Sequence, residues 1–265
     1  MNSIVKLLPI LRLKELTYKD LTVINKLKIV VDSIVFILFI LIIYIIFIFP
    51  IITEKYEFKN LHLYTLNKNN KIDEYLKKVD NYLKDSTPLY SDKLDINIYV
   101  YNSGLLYYLN NPLSLTYTDT FASEFGKDTI LFKKVDFNKN LSYSFGLKEN
   151  FSAILAHEVI HVFQENKYKD NKIPTWVKEG YAMYATRELY TDKPKDILKD
   201  FIQNYPNLNS KNISTEYKLW MLMVQHAIED LHINIDTLHS GQVKYNSILN
   251  SLLKKYKLKD KHNDN

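Results

Sequence analysis

Two histidines stand four residues apart in the segment AILAHEVIHVFQEN, residues 153–166, and a glutamate directly follows the first. Placed on an α-helix at about 100° per residue, His157 and His161 fall about 40° apart, on one face and one turn from each other. Both imidazoles can then reach one point in space. Glu158 falls about 100° from His157, beside that point rather than at it. The surrounding positions, among them Phe151, Leu155, Val159, Ile160 and Phe163, are apolar, so the helix is buried nearly all round. Burying two imidazoles and a carboxylate together is costly unless something compensates them. One answer is a core helix whose polar residues satisfy one another. The other is a cation that supplies the missing partner.

The spacing is the H-E-x-x-H arrangement, in which two histidines bind zinc and the glutamate acts as general base, and it arises by chance in roughly one chain in a hundred of this composition. A catalytic zinc takes three protein ligands and keeps one position open. A third donor must therefore come from elsewhere. Downstream lies IPTWVKEGYAMY, residues 173–184, in which Pro174 and Thr175 form a helix start. Glu179 then sits in the early turns of a second helix, and an antiparallel pairing of the two helices brings it over His161. Taken alone, Glu179 reads better as a solvated surface residue. Gly180, its neighbour, permits a close approach of backbone or substrate.

His157-Glu158-Val159-Ile160-His161 followed by Trp176-Val177-Lys178-Glu179-Gly180-Tyr181-Ala182 resembles the gluzincin metallopeptidases of the peptidase MA clan. Their second motif reads Trp-x-x-Glu-Gly-x-Ala, matched by Trp176, Glu179, Gly180 and Ala182. The resemblance implies Glu179 as the third zinc ligand. It covers roughly residues 96–235, and its small extent is similar to the minimal peptidase MA-like branch. No aminopeptidase-type Gly-x-Met-Glu-Asn motif accompanies it. In aminopeptidase-like relatives, a tyrosine at the start of a late helix donates its hydroxyl to the oxyanion. Tyr217, in STEYKLWMLMVQHAIEDL (214–231), is similarly placed. His226 is the competitor, because other gluzincins use histidine; the two lie about 13 Å apart along a helix, so only one can serve.

The expected activity is a zinc metallopeptidase acting on a peptide or protein substrate. Zinc polarises the scissile carbonyl, Glu158 takes the proton of the attacking water, and Tyr217 stabilises the oxyanion. The strand TILFKKV, ahead of the motif helix, is expected to bind substrate by edge pairing. A rival from another class is a catalytically retired, membrane-tethered binding or assembly protein on a peptidase fold; the presence of all three ligands and Glu158 argues against it.

The elements that must position these residues read as α+β. Apolar spacing gives a helix over 71–85, with Ile72, Tyr75, Leu76, Val79 and Leu83 inward. Residues 96–101 and 129–137 are β-branched and aromatic and read as strands. Helical patterns follow at 149–166, 175–190, 195–204, 215–233 and 242–257. A small N-terminal sheet with helices thus precedes a helical C-terminal half, the zincin-like arrangement that the resemblance implies.

Residues 33–52, SIVFILFILIIYIIFIFPII, carry no charge. Twenty residues at about 1.5 Å each span a hydrocarbon core of roughly 30 Å, so the sequence leads one to expect a single transmembrane helix at 30–52. The run exceeds the apolar region of a cleaved signal peptide, and Thr53, Glu54 and Lys55 do not make a cut site. Six basic residues precede the run, which would put residues 1–29 in the cytoplasm as a tail and the catalytic domain outside it, with the bilayer as a partner. The expected organisation then continues with a linker and helix at 53–90, the peptidase domain at 91–258 and a polar tail at 259–265.

Composition excludes some classes. There is no cysteine, hence no disulfide, thiolate ligand or cysteine nucleophile. Net charge is +5, but residues 53–265 carry 29 basic and 27 acidic side chains, so no nucleic-acid partner is expected.

Overall fold

A computed structural model describes residues 18–43, 53–103, 107, 122–124, 128–144, 147–169, 172–190, 194–204 and 213–257. The chain divides into two compact units, 1–52 and 53–265.

In the second unit, period-two alternation builds the sheet. β2 (Leu61–Thr65) buries Leu61, Leu63 and Thr65, while His62 and Tyr64 are only partly covered. β3 (Ile96–Val100) repeats the pattern with Ile96, Ile98 and Val100. With β1 (Glu54–Phe58), β4 (Ala122–Glu124) and β5 (Thr129–Phe132) they form one sheet of order β1-β2-β3-β5-β4. The central pairs β2–β3 and β3–β5 are parallel, and the two outer pairs are antiparallel. A parallel pair needs a crossover. Between β2 and β3 it is the helix α2 (Ile72–Ser86), which buries Ile72, Tyr75, Leu76, Val79 and Leu83. The inward face is the one that the apolar spacing gives. Residues 53–90 therefore supply two strands and a helix to the same sheet layer that continues beyond residue 91.

β5 is paired on both sides, so the segment TILF is not an open edge, contrary to the expected substrate-binding strand. Among the described residues, the outer strand at that side of the sheet is β4, which packs along the motif helix.

A second, smaller antiparallel sheet of β6 (Val135–Asp136), β7 (Leu141–Ser144) and β8 (Leu147–Asn150) leads straight into the motif helix, α3 (Phe151–Lys167). The helix starts at 151 rather than 149 because 147–150 pair with β7. Asn150 caps it, its side chain accepting from the Ala153 N–H at 3.2 Å. Asn140, with φ 53°, accepts from the Ser152 N–H at 3.1 Å and donates to Asn150 at 3.0 Å. Helices α4 (Thr175–Thr186), α5 (Pro194–Asn204), α6 (Ile213–Gln225), α7 (Ile235–His239) and α8 (Tyr245–Lys255) follow. The single helix expected over 215–233 changes to a π-helical turn at His226–Asp230, where the Leu231 N–H reaches back to the His226 carbonyl at 3.1 Å. The unit is α+β.

The first unit contains α1 (Tyr18–Ile43). No helix among the described residues is long and apolar enough to cross a membrane. α1 carries only 33–43 of the uncharged run, about 16 Å of helix. The turns before it hold Lys26, Lys28 and Asp32. The rest of the run, 44–52, lies outside the described residues. The expected transmembrane helix at 30–52 is thereby overturned, and with it the single-pass location that puts a cytoplasmic N-terminus opposite an external catalytic domain. The bilayer partner rested on that helix and loses its support.

α4 and α6 pack backbone to backbone at Gly180. A Cβ added there would lie 2.6 Å from the Trp220 carbonyl oxygen and 2.9 Å from Val224 Cγ2. The neighbour at 2.6 Å is helix backbone and cannot swing aside. Gly180→Ala should therefore cost about 1–3 kcal/mol by overpacking, lowering the melting temperature by roughly 2–10 °C. Thermal melts of the variant check this; an unchanged midpoint would show that α6 yields without strain.

Candidate metal centre

α3 presents His157 and His161 one turn apart, and α4 packs against it. The Nε2 atoms of the two histidines are 3.0 Å apart. Glu179 Oε2 lies 3.3 Å from each. Two rings from one helix and a carboxylate from the next thus make a nearly equilateral triangle of donors. His157 and His161 are 7% and 4% exposed, and Glu179 is partly covered. Among the described residues, this is the group of histidines and acidic side chains positioned to hold a metal ion.

The donor set and spacing fit a small divalent cation. Zinc bonds of about 2.0–2.2 Å to nitrogen and oxygen put tetrahedral ligands roughly 3.3–3.5 Å apart, close to the separations found here. Burial opposes ionisation of Glu179, but electrostatic attraction and hydrogen bonding from the adjoining His161 and His157 rings outweigh it and hold its pKa well below the ordinary carboxylate value. The carboxylate is thus kept in the form that binds cations.

Each imidazole has an outer partner. His161 Nδ1 is 2.9 Å from Gln164 Oε1, and the Gln164 amide donates to the Lys178 carbonyl on α4 at 3.1 Å. His157 Nδ1 is 3.2 Å from the Tyr190 hydroxyl. Desolvation, together with the charges of Glu158 and Glu149, pushes the Tyr190 pKa well above that of an ordinary tyrosine, so this phenol stays neutral. Such outer partners fix ring orientation and ligand basicity.

Glu158 is half-buried, one position along α3 from the first histidine. Tyr217, near the start of α6, is placed within electrostatic range of it. Burial first, then the charges of Glu179 and Glu158, push the Tyr217 pKa up to about 12. Its hydroxyl is a neutral donor at physiological pH. His226 is engaged elsewhere: its Nδ1 is 2.7 Å from Asp230 and its Nε2 is 3.0 Å from Ser251 on α8. Of the two oxyanion candidates, Tyr217 is the one coupled to the cluster's carboxylates.

The outer partners escape the sequence reading. Gln164 carried a signal, a polar residue three positions after His161 on an otherwise apolar helix. Tyr190 carried none, being one of 21 tyrosines and 33 residues from His157. The chain matches no model of a known protein family and no curated protein.

Elemental analysis of the full chain, loaded with zinc and freed of excess by gel filtration, should return close to one equivalent. His161→Ala and Glu179→Ala should each fall below a third of that, since removal of either leaves two donors. Wild-type protein that retains less than a third would show that the triangle does not hold this ion.

Proposed function

We propose that the chain is a zinc-dependent metallopeptidase. The observation that carries the reading is the placement of Glu158 on the same helix as, and beside, a buried His157–His161–Glu179 triangle. The likeness of the two sequence motifs to the gluzincins supports it. The identity of the ion follows from donor chemistry: two imidazole nitrogens and one carboxylate suit zinc, and three protein ligands leave a position open. Bound there, zinc would act as a Lewis acid toward the scissile carbonyl and make water more acidic.

The protein's own groups do the rest. His157, His161 and Glu179 hold the ion. Glu158, kept from the ligand set by its 100° offset on the helix, accepts a proton from the attacking water and delivers it to the leaving amine. The Tyr217 hydroxyl, neutral because its pKa is raised, donates to the developing oxyanion. An extended peptide is accommodated alongside β4, the outer antiparallel strand beside α3, by main-chain pairing.

Glu158→Gln separates chemistry from folding, because the amide keeps the size and hydrogen bonding of the side chain but cannot take a proton. Zinc content and melting temperature should stay at wild-type values, while cleavage of a labelled unfolded protein should fall by at least about a hundredfold. Retention of more than about a tenth of wild-type turnover would remove Glu158 from the base role. Zinc-loaded wild-type protein that cleaves no protein or peptide substrate would refute the peptidase reading in favour of a binding protein.

A further inference from the structure

We propose that Gln164 and His239 form a hydrogen-bonded relay that locks His161 as its Nδ1–H tautomer and thereby aims the Nε2 lone pair at the metal position. Both are positioning residues. The inference rests on the reading of His157, His161 and Glu179 as a metal site, and it extends that site to a residue on α7.

Two backbone carbonyls fix every proton in the relay. His239 Nδ1 lies 2.8 Å from the Ile235 carbonyl oxygen. A carbonyl only accepts, so Nδ1 carries the proton. In the neutral ring, Nε2 is then an acceptor. It sits 3.0 Å from Gln164 Nε2. The same Gln164 nitrogen is 3.1 Å from the Lys178 carbonyl, which also only accepts. Both amide protons are thus assigned, and the amide cannot be flipped without facing oxygen against oxygen. Gln164 Oε1 therefore points to His161 Nδ1, at 2.9 Å, and must accept from it. With its proton on Nδ1, His161 presents a bare Nε2 towards His157 Nε2 and Glu179 Oε2.

The relay is sealed. Gln164 and His239 are both 0% exposed. The His239 ring stacks on Tyr168, with centroids 4.7 Å apart and planes 11° apart, and meets Tyr181 edge-on at 4.9 Å. Burial lowers the His239 pKa, which keeps the ring neutral and its Nε2 an acceptor. Packing alone does not account for this arrangement. An apolar residue at either position would fill the same space without the hydrogen bonds, and Gln164 is the one that spans a ligand, the helix carrying the other ligand, and α7.

The test uses the full chain. Long-range proton–nitrogen correlation spectra of metal-free, ¹⁵N-histidine-labelled protein report the tautomer of each ring, and competition with a chromophoric chelator gives the zinc affinity. Wild-type His161 should be wholly Nδ1–H. Gln164→Met keeps the length of the side chain but removes the acceptor of the His161 proton; its His161 should populate both tautomers, and zinc should bind roughly tenfold or more weakly. His239→Phe keeps the stacked ring but leaves one Gln164 amide proton without its acceptor; the Lys178 carbonyl still orients the amide, so His161 should stay Nδ1–H while zinc binds more weakly than wild type by more than about twofold. Gln164→Met that leaves His161 wholly Nδ1–H and zinc affinity within about twofold of wild type would overturn the relay. If the methionine variant does not fold, His239→Phe decides: weakened zinc binding supports the relay, and affinity within about twofold of wild type refutes it. Wild-type protein with His161 held as Nδ1–H that binds no zinc would refute the metal reading alone, whereas zinc binding with a mixed His161 would refute the relay alone.

Discussion

Two imidazoles and a carboxylate are held away from water within about hydrogen-bonding distance of one another, and the architecture around them answers the cost of doing so. Desolvating these groups is unfavourable unless each polar atom finds a partner. The inner atoms face each other across the triangle, at 3.0–3.3 Å. The outer nitrogens are met by Gln164 and Tyr190. Neither residue belongs to the H-E-x-x-H spacing. Both are needed because a buried ring nitrogen left without a partner would cost about 1–3 kcal/mol.

Geometry at the triangle depends in turn on how closely helices approach. Glu179 is placed by α4, and α4 is placed by the contact at Gly180, where the α6 backbone lies too near for a side chain. The same packing brings Tyr217 on α6 into the field of Glu158 and Glu179. A single absent methyl group thus sets the positions of a candidate ligand and a candidate oxyanion donor. On the other side of α3, the Asn140–Asn150 pair fixes the first turn of the helix, so the register of His157 and His161 is set from β8.

Helical signals were the most legible part of the fold. The α2 pattern named the five apolar residues that are buried, and the motif helix was visible as an apolar stretch carrying a few polar residues. β1 and β2 were not legible. β1 places Glu54, Lys55 and Glu57 among its exposed positions, so only Tyr56 and Phe58 of the five residues carry an apolar signal. β4 is three residues long, too short for any periodicity. The membrane reading is overturned because no helix among the described residues is long and apolar enough to cross a membrane: α1 starts among charged residues and carries only part of the uncharged run. At the site, His157, Glu158 and His161 were legible because one helix holds them at a fixed spacing. Glu179 was legible only through a second motif. Tyr190 and His239 reach the site through tertiary packing, which leaves no mark in local sequence.

The division of donors between two helices has a kinetic side. α3 alone offers a two-toothed chelate as soon as it is helical, because its histidines are one turn apart. The third tooth closes only when α4 docks. An ion held by all three could therefore leave in stages, through a state in which the carboxylate has let go and the imidazole pair still holds. The dwell time of a bound ion would then depend on the docking of α4 as well as on the strength of each bond. The tight backbone contact at Gly180 ties α4 to α6, so α4 could lift from α3 only with α6 or by giving up that contact.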